Sequence, residues 1–339
     1  VRLRSGLSVD LRIVPQVCYG AALHYFTGSR AHNIAVRQLA VKKGYKINEY
    51  GVFQDEERIA GRTEEEVYNC VDLPYIPPEL RENRGELEAA RKNRLPKLIN
   101  PEEIRGDLHC HTDASDGRHT LKQMARAAAE RGYEYLSISD HSKQVTVAHG
   151  LDEKRLLAQI KAIDELNSKL DQIVVLKSIE VDILEDGSLD LPDSILKELD
   201  LTVCSVHDLL NLSSEKQTER ILRAMDNPYF NILGHPTGRQ INQRAPYALD
   251  LQRILEAARD RGCYVELNAH PQRLDLNDEA CKMARDLGVL LAISTDAHST
   301  ADLCYMRFGV EQARRGWLEA GDVINTQPLA TLRKLLKRK

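Results

Sequence analysis

The sequence predicts a parallel α/β barrel of seven strands, preceded by a smaller α+β part. Three observations lead there. Seven short apolar segments recur through residues 101–339, amphipathic helical patterns separate them, and six of the seven end in a histidine or carboxylate. Strand–helix alternation of this kind gives right-handed β-α-β units and a sheet buried on both faces. Barrel enzymes build their active sites at the C-terminal ends of such strands.

Taken in order, residues 1–72 read as a compact α+β subdomain. It has a strand at 8–14, a helix at 19–26, a turn at Thr27-Gly-Ser29, a helix at 30–43 and a strand-like stretch at 46–53. Residues 73–100 read as a linker. Leu73-Pro-Tyr-Ile-Pro-Pro78 cannot be continuous helix, because prolines lack an N–H and restrict their neighbours; a charged helix follows, to Lys97. Residues 101–339 hold the strands, at 106–111, 135–141, 173–180, 201–207, 230–235, 264–268 and 290–298. Helical periodicity fills 121–131, 153–170, 213–225, 250–261 and 277–287. Gly132, Gly262 and Gly288 close three of these helices in the manner of C-cap glycines.

Composition narrows the classes. A hydrophobic fraction of 42% and a charged fraction of 29% are those of a globular chain. No apolar run approaches the roughly 18 residues of a membrane span. The seven cysteines form no C-x-x-C pair and read as free thiols in a reducing cytoplasm. The chain starts at Val1 rather than Met, and so reads as a fragment. Residues 1–46 carry eight Lys/Arg against the single acid Asp10, which suggests a polyanionic partner for that end. The basic tail 333–339 reads as a solvated helix end.

The strand ends carry the chemistry. His109 and His111 are two apart on one strand, so alternation points both to one face. Asp116 follows in a turn-rich loop; His141, Glu180, His207 and His235 end four further strands; Asp296 and His298 repeat the two-residue spacing on the last. Nine such ligands exceed the four that one zinc takes. They suffice for two or three divalent ions, with Glu180 bridging. Imidazole and carboxylate suit Zn, Mn and Fe alike. His24, His32, His119, His149 and His270 read as structural or solvent-facing. Arg239, Arg244 and Arg273, in loops after strand ends, read equally as phosphate ligands or as surface charge.

Asp107-Leu-His-Cys-His-Thr-Asp-Ala-Ser-Asp-Gly117, Ser139-Asp-His141, Ile179-Glu-Val-Asp182, Ser205-Val-His207, Gly234-His-Pro236 and Ser294-Thr-Asp-Ala-His298 resemble the motifs of the polymerase and histidinol phosphatase (PHP) superfamily. The resemblance covers residues 101–339 and implies a distorted (βα)7 barrel with a trinuclear centre. By that likeness His109, His111, Glu180 and Asp296 hold one ion, Glu180, His207 and His235 a second, and Asp116, His141 and His298 a third. Phosphoester hydrolysis follows, with Glu180, His207 and Asp296 at its heart.

The first seventy residues resemble a different family. Tyr25-Phe-Thr-Gly-Ser29, then Asn33, Arg37 and Gly44-Tyr-Lys-Ile-Asn-Glu-Tyr50, is similar to the nucleotide-selecting subdomain of family X DNA polymerases. Val9-Asp-Leu-Arg12 resembles the strand carrying that family's third catalytic aspartate. The match implies that Asp10 binds a polymerisation metal, Mg or Mn, with Arg12 beside it. Tyr25, Phe26 and Gly28 would contact the incoming nucleotide, Asn33 its base edge and Arg37 the template. The family's Asp-x-Asp pair and triphosphate loop are missing from this sequence, so the chain alone is expected not to polymerise. A PHP barrel after such a subdomain is the layout of PolX enzymes. This implies a DNA repair polymerase and 3′–5′ exonuclease acting on 3′ ends, gaps or abasic sites, without a membrane. The rivals are a small-molecule phosphatase of the histidinol-phosphate type and a barrel kept only as a scaffold.

Overall fold

The computed structural model describes residues 1–337, in a first compact unit, Val1–Pro96, and a second that begins at Lys97. Arg338 and Lys339, the end of the basic tail, lie outside the described residues.

In the first unit, helices Tyr19–Thr27 and Arg30–Lys42 are joined through Gly28 and Ser29. The Ser29 hydroxyl caps the second helix by accepting from the His32 N–H at 3.1 Å. Three antiparallel strands follow, β1 (Tyr45–Asn48), β2 (Gly51–Gln54) and β3 (Glu57–Ala60), then helix Glu64–Asn69. The strand-like stretch 46–53 is thus a hairpin: β1 and β2 pair from Tyr45–Gln54 to Asn48–Gly51 across Glu49-Tyr50. The first helix lies so close to the segment before Glu64 that a Cβ on Gly20 would stand 2.1 Å from the Thr63 carbonyl carbon. Ala21, Val36, Ala40, Val52 and Val67 fill the core.

Two expectations change here. The strand at 8–14 does not form: Leu11 and Ile13 are 78% and 92% exposed, and the only ladder contact is Arg2 with Ser8. A strand needs a neighbour's backbone groups; Val9 exchanges hydrogen bonds with Val1, at 2.6 and 2.7 Å, and the pairing goes no further along the segment. The expected linker is folded, and the first unit runs through it to Pro96. Leu73, Ile76 and Leu80 are buried, and so is Arg81, which meets Glu64. The prolines stop a helix here without preventing burial, and the charged helix shortens to Glu86–Arg91.

In the second unit the strands are β4 (Gly106–Asp107), β5 (Tyr135–Ile138), β6 (Val174–Lys177), β7 (Glu180–Asp182), β8 (Val203–Ser205), β9 (Ile232–Leu233), β10 (Tyr264–Asn268) and β11 (Leu291–Ser294). They form parallel runs β4-β5-β6 and β7-β8-β9-β10-β11. The predicted strand 173–180 is β6 and β7, broken at Ser178-Ile179, with a His141–Glu180 bridge across the break. A parallel bridge from Cys110 to Ala297 closes the first strand on the last. The result is a seven-stranded barrel, distorted at β6/β7.

Alternation along β10 sorts the layers. Val265 and Leu267 face outward into the large core under the helices, whereas Tyr264, Glu266 and Asn268 face the lumen. The lower lumen is filled by Leu108, Tyr135, Leu176, Leu201, Ile232, Tyr264 and Ala292, and closed beneath by Ile324, Leu332 and Leu336. Leu332 belongs to the last helix, Leu329–Leu335. The flanking helices start on Thr120, Asp152, Ser213, Asp250 and Asn277, each accepting from a backbone N–H of the first turn. Apolar side chains therefore end halfway up the lumen, and polar ones crown it.

Candidate metal centre

Glu180, at the start of β7, is 1% exposed and stands at the middle of the crown. Five imidazoles surround it. His235 Nε2 and His207 Nε2 lie 2.8 and 3.3 Å from its Oε1. His141 Nδ1, His109 Nε2 and His111 Nε2 lie 2.9, 3.5 and 3.7 Å from its Oε2. His109 Nε2 and His111 Nε2 stand 3.1 Å apart, and His111 Nε2 is 3.1 Å from Asp296 Oδ1. On the open side, Asp116 Oδ2 lies 3.4 Å from His298 Nε2 and 3.6 Å from His141 Nε2. All nine expected ligand residues are therefore brought together.

Three overlapping groups have ligand atoms close enough to share an ion: His111 with Asp116, His141 and His298; His109 with His111 and Asp296; and His141 with Glu180 and His207. These differ from the expected sets in that His111 also joins the Asp116 group, His141 also joins Glu180, and Glu180 is not in the group of His109, His111 and Asp296. His235 stands outside them but touches Glu180. Two ligand-type residues, His235 (φ 25°) and Asp296 (φ 54°), have left-handed backbones, each a cost of about 1–3 kcal/mol that the surrounding fold must offset.

A surrounding layer of groups holds these side chains in place. His109 donates from Nδ1 to Glu266 Oε1 at 2.8 Å, which leaves its Nε2 lone pair aimed at the centre. The other Glu266 oxygen accepts the His235 backbone N–H at 2.6 Å. His207 donates from Nδ1 to Asp182 Oδ1 at 3.1 Å. The Asn268 amide donates to Asp296 Oδ2 at 3.1 Å. Asp140 accepts from the Thr112 N–H and hydroxyl, at 2.7 and 2.6 Å, and from the Ser115 hydroxyl, so it braces the loop that carries Asp116. Glu266, Asn268, Asp182 and Asp140 were not among the expected site residues. The signal for the first two was the polar, lumen-facing spacing of Glu-x-Asn in an otherwise apolar strand.

The electrostatics describe a site that calls for positive charge. Burial alone would lower His109, but Glu266, Glu180 and Asp296 outweigh it and hold the ring well above its ordinary range. His141 is likewise carried up to about 10 against burial by Glu180 and Asp116, and His207 to about 9 by Glu180 and Asp182. His298 reaches about 9, where Asp116 and Asp296 override burial. Glu180 and Asp296 lie well below the carboxylate range despite burial, because imidazoles surround them. His111 goes the other way, to about 3, through burial and the neighbouring His298 and His141. Protons on imidazole thus do here what divalent cations would do with the nitrogens free. His111 Nδ1 and His235 Nδ1 are buried with no hydrogen-bond partner. The donor set, buried carboxylate against imidazole, fits divalent ions.

Of the arginines after the strand ends, Arg239 is spent on the carbonyls of Arg273 and Leu274, and Arg244 on that of Gly238. Arg273 reaches the centre: its Nε lies 3.4 Å from Asp296 Oδ2, and its Nη1 is buried without a partner.

The expected nucleotide-contact residues are elsewhere, in the first unit. The Arg12 guanidinium lies 4.4 Å from the Phe26 ring centroid and that of Arg37 5.5 Å from Tyr25, while the two rings meet edge-on at 4.9 Å. Asn33 is buried, and its amide donates to the Tyr25 and Gly28 carbonyls, bracing the turn between the helices. Asp10 is exposed.

Residues 22–82 match the DNA polymerase beta thumb family, and residues 107–270 match the PHP domain family. The chain is 42% identical over 333 residues to the DNA polymerase/3′-5′ exonuclease PolX of Bacillus subtilis (strain 168), across 98% of its own length and 58% of that protein's. It is 31% identical over 244 residues to a protein named "Probable phosphatase" from Thermoanaerobacter sp. (strain X514), across 69% of this chain and 94% of that one. It also overlays on a solved histidinol phosphate phosphatase from Lactococcus lactis, complexed with zinc, L-histidinol and phosphate. That overlay has 17% identity and a TM-score of 0.44, covering 62% of this chain and 94% of that one. No helix among the described residues is long and apolar enough to cross a membrane. The thumb match precedes the PHP match, the chain spans 58% of PolX's length, and its 31% identity runs over 94% of the phosphatase-named relative; the chain belongs to the PHP-domain family.

Proposed function

We propose that this chain is a metal-dependent phosphoesterase that removes nucleotides from DNA 3′ ends, the hydrolytic part of a PolX-type repair polymerase and 3′–5′ exonuclease. One observation carries the reading: five imidazoles crowd the two oxygens of a single buried glutamate, Glu180. His109, His111, Glu180 and Asp296 are assigned to one ion, Glu180, His207 and His235 to a second, and Asp116, His141 and His298 to a third. When bound, divalent Zn, Mn or Fe would polarise a phosphoryl oxygen and make a water acidic enough to attack it.

The chain's own groups do the positioning. Glu266 and Asp182 fix the tautomers of His109 and His207, so that Nε2 of each presents a lone pair to the lumen. Glu180 faces its two oxygens to different sets of rings, as a bridging carboxylate must. Arg273 is the phosphate clamp, with its unpartnered Nη1 directed to a non-bridging oxygen. In the first unit, Asp10, Arg12, Tyr25, Phe26, Gly28, Asn33 and Arg37 serve nucleotide and template contacts in the full-length protein, with Mg or Mn. Its basic residues hold the DNA backbone, so affinity falls with salt. None of the cysteines forms a disulfide, which suits the reducing cytoplasm.

The test is purified chain with Mn²⁺ on 3′-labelled DNA, beside His109→Ala and Asp296→Ala. Release of labelled nucleotide by the parent chain but not by the variants is expected; no release by any of them overturns the reading. Primer extension by this chain is expected to be absent. The 31% identity to a protein named as a phosphatase favours one rival. Turnover of histidinol phosphate with none on DNA would move the assignment there.

A further inference from the structure

Three rings line the rim beside the candidate metal centre, and neither the ligand set nor its support uses them. His270 follows β10; Tyr305 ends the 3-10 turn Asp302–Tyr305, and Phe308 lies one turn on, in helix Met306–Arg315. His270 and Tyr305 meet edge-on with centroids 5.2 Å apart, and Tyr305 and Phe308 follow at 6.2 Å. All three are partly exposed. The Arg307 guanidinium lies over Phe308, 4.4 Å from its centroid. The row starts beside the centre: the His270 backbone N–H donates to Asn268 Oδ1 at 3.0 Å, and the Asn268 amide donates in turn to Asp296 Oδ2 at 3.1 Å. Arg118, whose backbone N–H donates to the His298 carbonyl at 2.7 Å, is a cation near Tyr305, and Asp302 is the acid beside that ring.

Partly exposed rings in a row, flanked by Arg118, Arg273 and Arg307 and leading into a phosphoesterase centre, are the components of a single-strand nucleic-acid track. Rings offer faces to any base, and the arginines answer the phosphates.

We propose that His270, Tyr305 and Phe308 form a stacking shelf for the unpaired bases of a DNA 3′ terminus. The proposal rests on the reading of this centre as a 3′-end hydrolase, but it is tested by binding, without hydrolysis.

The whole chain is titrated, in chelator, against an oligodeoxynucleotide with 2-aminopurine at its 3′ end, single-stranded or in a blunt duplex. Fluorescence quenching of the single strand is expected, with a dissociation constant about tenfold below that of the duplex. Tyr305→Ala and Phe308→Ala should each lose most of the quench and weaken single-strand binding about tenfold, whereas Tyr305→Phe retains both. An unquenched single strand, or equal affinity for strand and duplex, would overturn the shelf, and those two arms need no variant to fold. Quenching without nucleotide release on later addition of Mn²⁺ leaves the shelf standing and removes the hydrolase. Release without quenching does the reverse.

Discussion

Each unit buries a cluster of ionisable side chains, and the two clusters differ in how they are satisfied. In the first unit Arg81 is 1% exposed; it donates to the Ile76 carbonyl at 2.9 Å, pairs with Glu64, and lies over the rings of Tyr68 and Tyr75. Beside it His32 donates to Glu86 at 2.7 Å and meets the Tyr68 hydroxyl at 2.9 Å. Cation faces anion and donor faces acceptor in these pairs, while Arg81 Nη2 and the two His24 ring nitrogens are buried without a partner. In the barrel the matching is lopsided: imidazole nitrogens approach one another, and five rings crowd the two oxygens of one glutamate, which cannot receive all of them. Buried polar groups that satisfy one another hold a fold together. Buried polar groups that converge with lone pairs to spare need a cation from outside.

The comparison can be broken at several points. The largest effect is expected in the barrel. His109→Ala or Asp296→Ala should reduce nucleotide release about a thousandfold or more, the several kcal/mol that metal charge contributes to such a transition state. Metal analysis should show fewer bound ions while the first unit still unfolds at its usual denaturant concentration. Next comes Arg81→Ala, which strands Glu64 and should cost the first unit about 3–5 kcal/mol in urea unfolding. Arg81→Met with Glu64→Leu should recover most of that, whereas no apolar pair should replace Glu180 and a ligand histidine without loss of metal.

A third test uses pH. Burial, with Arg81 nearby, holds His24 down at about 3 from an ordinary 6.5. The unfolded chain takes up this proton and the folded chain does not, so the contribution is complete above pH 6.5 and is lost as pH falls towards 3. About 3 kcal/mol should be gone by pH 4, and His24→Leu should flatten that part of the profile of the first unit's stability. The smallest effect belongs to the barrel's supporting layer. Glu266→Gln keeps a hydrogen-bond partner for His109 but removes the charge, and metal affinity should fall about 10- to 100-fold with the fold intact. Unchanged affinity would mean that Glu266 is structural, like Glu64.

Legibility followed the same division. The ligand residues could be read because strand ends and two-residue spacings are local properties of the chain. Glu266 and Asn268 show in the sequence only as a polar pair two apart in an apolar strand, and a strand by itself does not say which of its faces is the lumen. Residues 8–14 have strand-like alternation, but pairing depends on what lies alongside. The linker reading of 73–100 took proline as a sign of exposure, where Ile76 and Leu80 are buried and Arg81 finds a partner in Glu64. The break at Ser178-Ile179 has no local signal; it shows only where β7 leaves β6.

The apolar plug of Ile324, Leu332 and Leu336 under the lumen has a kinetic consequence. It turns the barrel into a cup with a single entrance. For the proposed 3′-end hydrolase, ions, water and the scissile end of a strand would all pass through one doorway, and the freed nucleotide would leave by the route its successor needs. Successive cleavage is therefore a matter of queueing: a strand seated in the entrance would shield the cations behind it from chelators, and a lingering product would delay the next turnover.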